Sequence, residues 1–210
     1  MKNIPYYISK FVSWLFFRFG YGLEVRGQEH VPRRGPFIAA ANHASFFDPP
    51  VLGASCPRRV RFMARADLYA QPILSAYMRS VRCISVRRDE ADLGAIRKAA
   101  AALKQGEVVA IFPEGGRQLG GVNDAKRGVG LLATIAKVPI VPVYIDGTAQ
   151  AWSKGSKGLS PSKIRVAFGP PIPYTNAALG TVDRPSRDRH EQLADEVTRA
   201  WQRLAQQFNG

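Results

Sequence analysis

Acidic residues are scarce in this chain: 16 Asp and Glu stand against 30 Lys and Arg, a formal net charge of +14. An imbalance of that sign favours an anionic partner, whether nucleic acid, an acidic membrane surface or a phosphorylated substrate, without choosing among them. Cysteine is nearly absent. Cys56 and Cys83 have no C-x-x-C spacing, which excludes a disulfide scaffold and points to a reduced, cytoplasmic setting. The three histidines, His30, His43 and His190, show no ligand spacing, so no metal is expected. There is no helix-turn-helix, RRM or zinc signature, so a nucleic-acid reading rests on charge alone and no nucleic acid is expected as partner. No internal repeat, low-complexity tract or long linker divides the 210 residues, and a chain of that size holds one sizeable core.

Long apolar runs are missing too. The N-terminal stretch IPYYISKFVSWLFFRFGYGL is rich in aromatics but broken by Lys10 and Arg18, short of the ~18 uninterrupted apolar residues that a spanning helix requires. No small-residue cleavage site follows, so a signal peptide is not expected. On a helical wheel Ile4, Ile8, Phe11, Val12, Leu15 and Phe19 share one arc, while Ser9, Lys10 and Ser13 lie opposite. Arg18 sits at the edge, where its long stem can snorkel. This pattern predicts an amphipathic helix over residues 1–22 lying in a membrane interface, with Trp14 and the tyrosines suited to the headgroup layer. The plainer alternative is a helix docked on the protein's own core.

Downstream, short apolar runs predict strands at 23–26, 36–41, 60–64, 81–87, 107–112, 139–145 and 163–168. Several are continuous rather than alternating, as in strands buried on both faces. Helices are expected at about 49–55, 72–79, 90–104, 125–137 and 186–208. In 90–104, Leu93, Ile96, Ala100 and Leu103 recur on one face, with Asp89 as N-cap and Gly106 at the end. The alternation argues for an α/β fold in which residues 23–210 form one domain, a mostly parallel or mixed central sheet flanked by helices. Ligands in such sheets gather at the carboxyl ends of the strands. Asn42-His43, Arg88 and Pro113-Glu114 all follow strands, so three stretches deliver polar residues to one edge.

The segment NHASFFDPP, residues 42–50, places His43 and Asp48 five positions apart. On one continuous helix that gap is about 140°, too wide for contact. The prolines resolve this: Asp48-Pro49 reads as an N-cap followed by proline at the first helical position. His43 then lies in the turn before the helix, where its ring can fold back onto the Asp48 carboxylate. A carboxylate on one ring nitrogen fixes the tautomer and leaves the other nitrogen to accept a proton from a hydroxyl. With no serine nucleophile motif in the chain, that hydroxyl could belong to a substrate. The spacing is equally compatible with a plain capping aspartate and a loop histidine.

IFPEGGRQ, residues 111–118, ends a buried strand with Glu114, Gly115, Gly116 and Arg117. Glycine lets backbone approach a ligand closely, and an arginine can fork onto a phosphate. Lys126 and Arg127 add cationic reach. A tight turn with a surface arginine is the competing reading.

Together these pieces resemble the glycerolipid acyltransferases typified by 1-acylglycerol-3-phosphate acyltransferase. NHASFFDPP is similar to the family's N-H-x4-D block, CISVRR to its second block with the closing arginine at Arg88, FPEGGRQ to F-P-E-G-T-R-S, and VPIVPVYIDG (138–147) to its apolar fourth block. The resemblance covers roughly residues 23–173 and is carried by the order of the blocks. Gly116 stands where threonine is usual, Gln118 where serine is usual, and Arg82 where glycine often opens the second block.

The resemblance implies His43 as general base oriented by Asp48, with Arg88, Glu114, Gly115, Arg117 and Lys126 binding substrate. It implies acyl transfer from acyl-CoA or acyl carrier protein, used as co-substrate with no other cofactor, to a lysophospholipid acceptor, above all lysophosphatidic acid. It places the protein on the cytoplasmic side of a membrane, peripheral or monotopic, against an anionic surface. Glycerol 3-phosphate or another lysolipid is the alternative acceptor. A non-catalytic basic binding protein is the alternative of a different class.

Overall fold

The computed structural model describes residues 3–87, 92–116, 123–152, 158–174 and 186–208, with side chains in the last segment from residue 189. Helix α1 runs Ile4–Gly20; Asn3 caps it by accepting the Tyr6 N–H, and Pro5 sits in its first turn. Strand β1 (Glu24–Arg26) leads to β2 (Ile38–Ala41), then helix α2 (Asp48–Ser55), β3 (Val60–Arg65), α3 (Pro72–Ser80) and β4 (Ile84–Val86). Helix α4 (Leu93–Lys104), β5 (Val108–Ile111), α5 (Gly128–Ala136), β6 (Ile140–Asp146), α6 (Thr148–Ala151), β7 (Arg165–Phe168) and α7 (Ser186–Gln206) complete the order.

The seven strands form one sheet in the order β1-β7-β6-β2-β5-β3-β4. All pairings are parallel except β6 with β7. The sheet is therefore mixed and flanked by helices, as the alternation of runs predicts. Period-two alternation splits each central strand between two cores. Ala39 and Ala41 of β2 face one side with Val141 and Val143 of β6, beneath Phe17 of α1 and Leu52 of α2. Ile38 and Ala40 face the other side with Val109 and Ile140, beneath α4, α5 and α7. There the buried Trp201 indole donates to the Ala40 carbonyl at 3.0 Å, so the large ring leaves no unsatisfied N–H.

Three local readings change. Strand 81–87 shrinks to Ile84–Val86 because Val81 and Arg82 form the turn after α3, with Arg82 at φ +61°. A left-handed residue is where glycine is cheapest, so Arg82 holds a conformation unfavourable to a side chain. Helix 90–104 begins only at Leu93, where Asp92 supplies the cap by accepting the Ala95 N–H at 2.9 Å. The expected cap Asp89 lies outside the described residues. The third change concerns Asp48 and belongs to the site.

Helix α1 is docked on the protein's own core by one side and leaves the other side exposed. Tyr6 and Phe17 are buried in the fold, and the Tyr6 hydroxyl accepts the Val60 N–H. Lys10 also points inward and donates to the Cys56 carbonyl, and burial pulls its ammonium pKa below the ordinary value. The expected apolar arc is turned the other way: Ile8 is 59%, Phe11 60% and Phe19 79% exposed, with Ile4 and Val12 beside them. An apolar groove on that outer side, lined by Ile4, Tyr7, Ile8 and Phe11, includes no residue of the candidate site. Among the described residues, no helix is long and apolar enough to cross a membrane.

Candidate active site

The order β6-β2-β5 in a parallel arrangement brings three carboxyl ends side by side. From β2 comes Asn42-His43, from β5 Phe112-Pro113-Glu114, and from β6 Gly147-Thr148. Asn42 ties two of these ends together. Its side-chain amide donates to the Ile145 carbonyl at 2.9 Å and accepts the Ile145 N–H at 2.7 Å. A buried amide with both ends satisfied fixes where the following histidine stands.

His43 Nδ1 lies 2.8 Å from Asp48 Oδ2. Because a carboxylate only accepts, Nδ1 carries a proton, and in the neutral ring Nε2 is the nitrogen with the lone pair. The imidazole stacks on Phe112, with ring centroids 4.4 Å apart, and remains partly open to solvent with its side chain 20% exposed. The ring is thus held on one edge and one face, and still reachable by a substrate.

Asp48 is not the helix cap its sequence position predicts. Of the two amides that a cap would bond, Pro50 has none and the Val51 N–H already bonds the Phe47 carbonyl at 2.9 Å. The carboxylate therefore turns back into the preceding loop. Oδ2 accepts the Ala44 and Ser45 N–H groups, each at 2.7 Å, besides the imidazole. Oδ1 accepts the Thr148 hydroxyl at 2.6 Å. Asp48 is 1% exposed, and only such saturation makes a buried carboxylate tolerable. The same turn is held by Ser45, whose hydroxyl donates to the Trp152 carbonyl and accepts the Phe47 N–H.

Next in sequence to Asp48, Phe47 inserts into an aromatic cluster with Phe16, Phe17, Tyr21 and Trp152, at centroid distances of 5.1–5.9 Å. Three of those rings come from α1 or the residue that caps it. The amphipathic helix is therefore in direct contact with the turn that carries the histidine.

Glu114 is buried, and its Oε1 accepts the His43 backbone N–H at 3.1 Å. Desolvation pushes its carboxyl up to about 7; the bond from His43 opposes this and the neighbouring Asp48 charge adds to it. The folded protein thus holds this proton at pH values where the unfolded chain has released it. Stability falls as pH rises from the ordinary glutamate value through about 7, then levels off. Glu114→Gln removes the ionisation. The difference in Tm, variant minus wild type, is expected to grow in the variant's favour between about pH 5 and about pH 8. Parallel melting curves would contradict this.

Gly115 has φ +78°, and a Cβ built there would lie 2.5 Å from Lys126 Nζ. The lysine stem therefore lies across the glycine, and its ammonium joins the turn after β5. The Lys126 N–H also bonds the Pro113 carbonyl at 2.9 Å. His43, Asp48, Glu114, Gly115 and Lys126 are thus gathered at one edge of the sheet. Arg88 and Arg117 lie outside the described residues. Sequence reasoning missed Thr148 and the tethering role of Asn42. A threonine directly after the Asp-Gly that ends a buried strand, at the predicted ligand edge, was the available signal. Among the described residues, no cluster of His, Cys, Asp and Glu could hold a metal ion.

A buried aspartate holding an imidazole at the carboxyl edge of a mixed α/β sheet is the arrangement that marks the class of this protein. Comparison with known proteins names that class: the chain belongs to the Acyltransferase family, whose model matches residues 22–146. It is similar to the 1-acyl-sn-glycerol-3-phosphate acyltransferase of Bacillus subtilis, 27% identical over 80% of both chains. The corresponding enzyme of Limnanthes alba is 30% identical over 84% of this chain and 62% of its own. The human alpha form is 29% identical over 83% of this chain and 64% of its own. The chain thus spans less than two thirds of those two relatives. The crystal structure of the 1-acyl-sn-glycerophosphate (LPA) acyltransferase PlsC from Thermotoga maritima superposes with a TM-score of 0.77 at 25% identity, over 95% of this chain and 79% of that one.

Proposed function

We propose that this protein transfers a fatty acyl group from a thioester donor, acyl-CoA or acyl carrier protein, to the free hydroxyl of lysophosphatidic acid, giving phosphatidic acid. The observation that carries this reading is the His43–Asp48 contact at 2.8 Å, which leaves Nε2 as the proton acceptor. Nε2 takes the hydroxyl proton as the oxygen attacks the thioester carbonyl carbon. A C–O bond forms, the C–S bond breaks, and the imidazolium returns its proton to the departing thiolate. No acyl-enzyme is required. Lys126, with Arg88 and Arg117, supplies charge for the acceptor phosphate. The named relatives act on the same acceptor.

The outward apolar arc of α1 supports a peripheral seat on a bilayer. The net charge of +14 suits an anionic leaflet, which is the cytoplasmic one in most cells. A thiol-release assay with lysophosphatidic acid, glycerol 3-phosphate and other lysolipids, each against both donors, tests the reaction. Release dependent on lysophosphatidic acid is the expected result. Dependence on glycerol 3-phosphate alone would move the protein to another acceptor, and absence of release with every pair would refute acyl transfer.

A further inference from the structure

The histidine–aspartate pair is completed by a third side chain, delivered from the carboxyl end of the neighbouring strand β6. We infer that Thr148 is a positioning residue: its hydroxyl sets the orientation of the Asp48 carboxylate and, through it, the tautomer and aim of the His43 ring. This rests on the assignment of His43 as base.

The geometry leaves little freedom. Thr148 is 1% exposed and donates to Asp48 Oδ1 at 2.6 Å, across a sequence separation of 100 residues. The three other donors to Asp48, from His43, Ala44 and Ser45, all converge on Oδ2. Among the described residues Thr148 is the one hydrogen-bond partner of Oδ1, so it decides which oxygen faces the imidazole. Without it, a buried anionic oxygen is left unsatisfied, and the carboxylate gains by rotating away from the ring.

The chain goes to some length to put this hydroxyl there. Gly147 takes φ +82°, and a Cβ on it would lie 2.0 Å from the Lys163 carbonyl. Only glycine makes that turn from β6 into α6, of which Thr148 is the first residue. On the other side, Asn42 locks the end of β6 to the end of β2 through Ile145. The donor and the carboxylate are thus placed by two separate tethers.

The test compares Thr148→Val, Thr148→Ser and Thr148→Ala, each in the wild-type and Asp48→Asn backgrounds, by thiol release and by 15N NMR of the His43 ring. Valine keeps the volume and loses the donor. It is expected to lower kcat about tenfold to a hundredfold with KM little changed, in line with a hydrogen bond to a charged group. Serine restores the donor and most of kcat. In the Asp48→Asn background the valine change adds no further loss, because the carboxylate it acts through is gone. The ring nitrogens should report one tautomer in wild type and a mixture in Thr148→Val. Thr148→Ala substitutes for valine if the valine protein does not fold.

Three outcomes would overturn the assignment: wild-type kcat in both donor-less variants, equal losses for serine and valine, or an undiminished valine effect beside Asp48→Asn. If wild type releases no thiol at all, the proposed reaction fails. The 15N spectra still decide the role of Thr148 in that case.

Discussion

His43→Ala is expected to fold, keep its affinity for lysophosphatidic acid, and lose nearly all turnover. A general base beside the attacking hydroxyl is worth typically ~100- to 10,000-fold. Here no second imidazole stands by: His30 is engaged with the Phe168 carbonyl, and His190 is on α7. Folding should survive because the ring is partly exposed, and its removal deletes one contact to Phe112 and one to Asp48. Circular dichroism and thiol release measured together check the claim. A folded alanine protein with wild-type turnover would mean that the base lies elsewhere.

Charging the outer face of α1 should detach the protein from vesicles. Deleting residues 1–20 would be a poor test, because it also removes Tyr6 and Phe17 from the core. Ile8→Asp with Phe11→Asp leaves both in place and puts two carboxylates on side chains 59% and 60% exposed. Each change removes apolar area from the lipid boundary and adds repulsion from an anionic surface. Flotation with vesicles containing phosphatidylserine is expected to fall about tenfold or more, with Tm nearly unchanged. Flotation equal to wild type would show that the exposed arc serves something other than lipid.

Much of this arrangement is legible in the sequence. The buried strands announce themselves as apolar runs, and their carboxyl ends locate His43 and Glu114 at one edge without any coordinates. What the sequence conceals is long-range pairing. Thr148 lies 100 residues from Asp48; its place after a buried strand marks it for the ligand edge, but nothing local names the distant carboxylate as its partner. The capping expectation for Asp48 failed for a readable reason: Pro50 has no amide to offer a cap, and the Val51 N–H is taken by the Phe47 carbonyl. In α1 the wheel separates polar from apolar correctly, but periodicity alone does not say which side faces inward. The inward side is settled by Phe17 and Tyr6, with Lys10 reaching the Cys56 carbonyl between them.

Phe47 and Asp48 are adjacent, one wedged among rings carried by α1, the other holding the imidazole. Their Cα atoms are separated by a single trans peptide, about 3.8 Å. The helix with the outward apolar arc and the imidazole are therefore joined through one turn, with a single peptide between the ring that packs on the helix and the carboxylate that holds the histidine. A substitution at Phe47 that shifts its ring among those of α1 is therefore expected to disturb the aim of His43 as well as the seat of the helix.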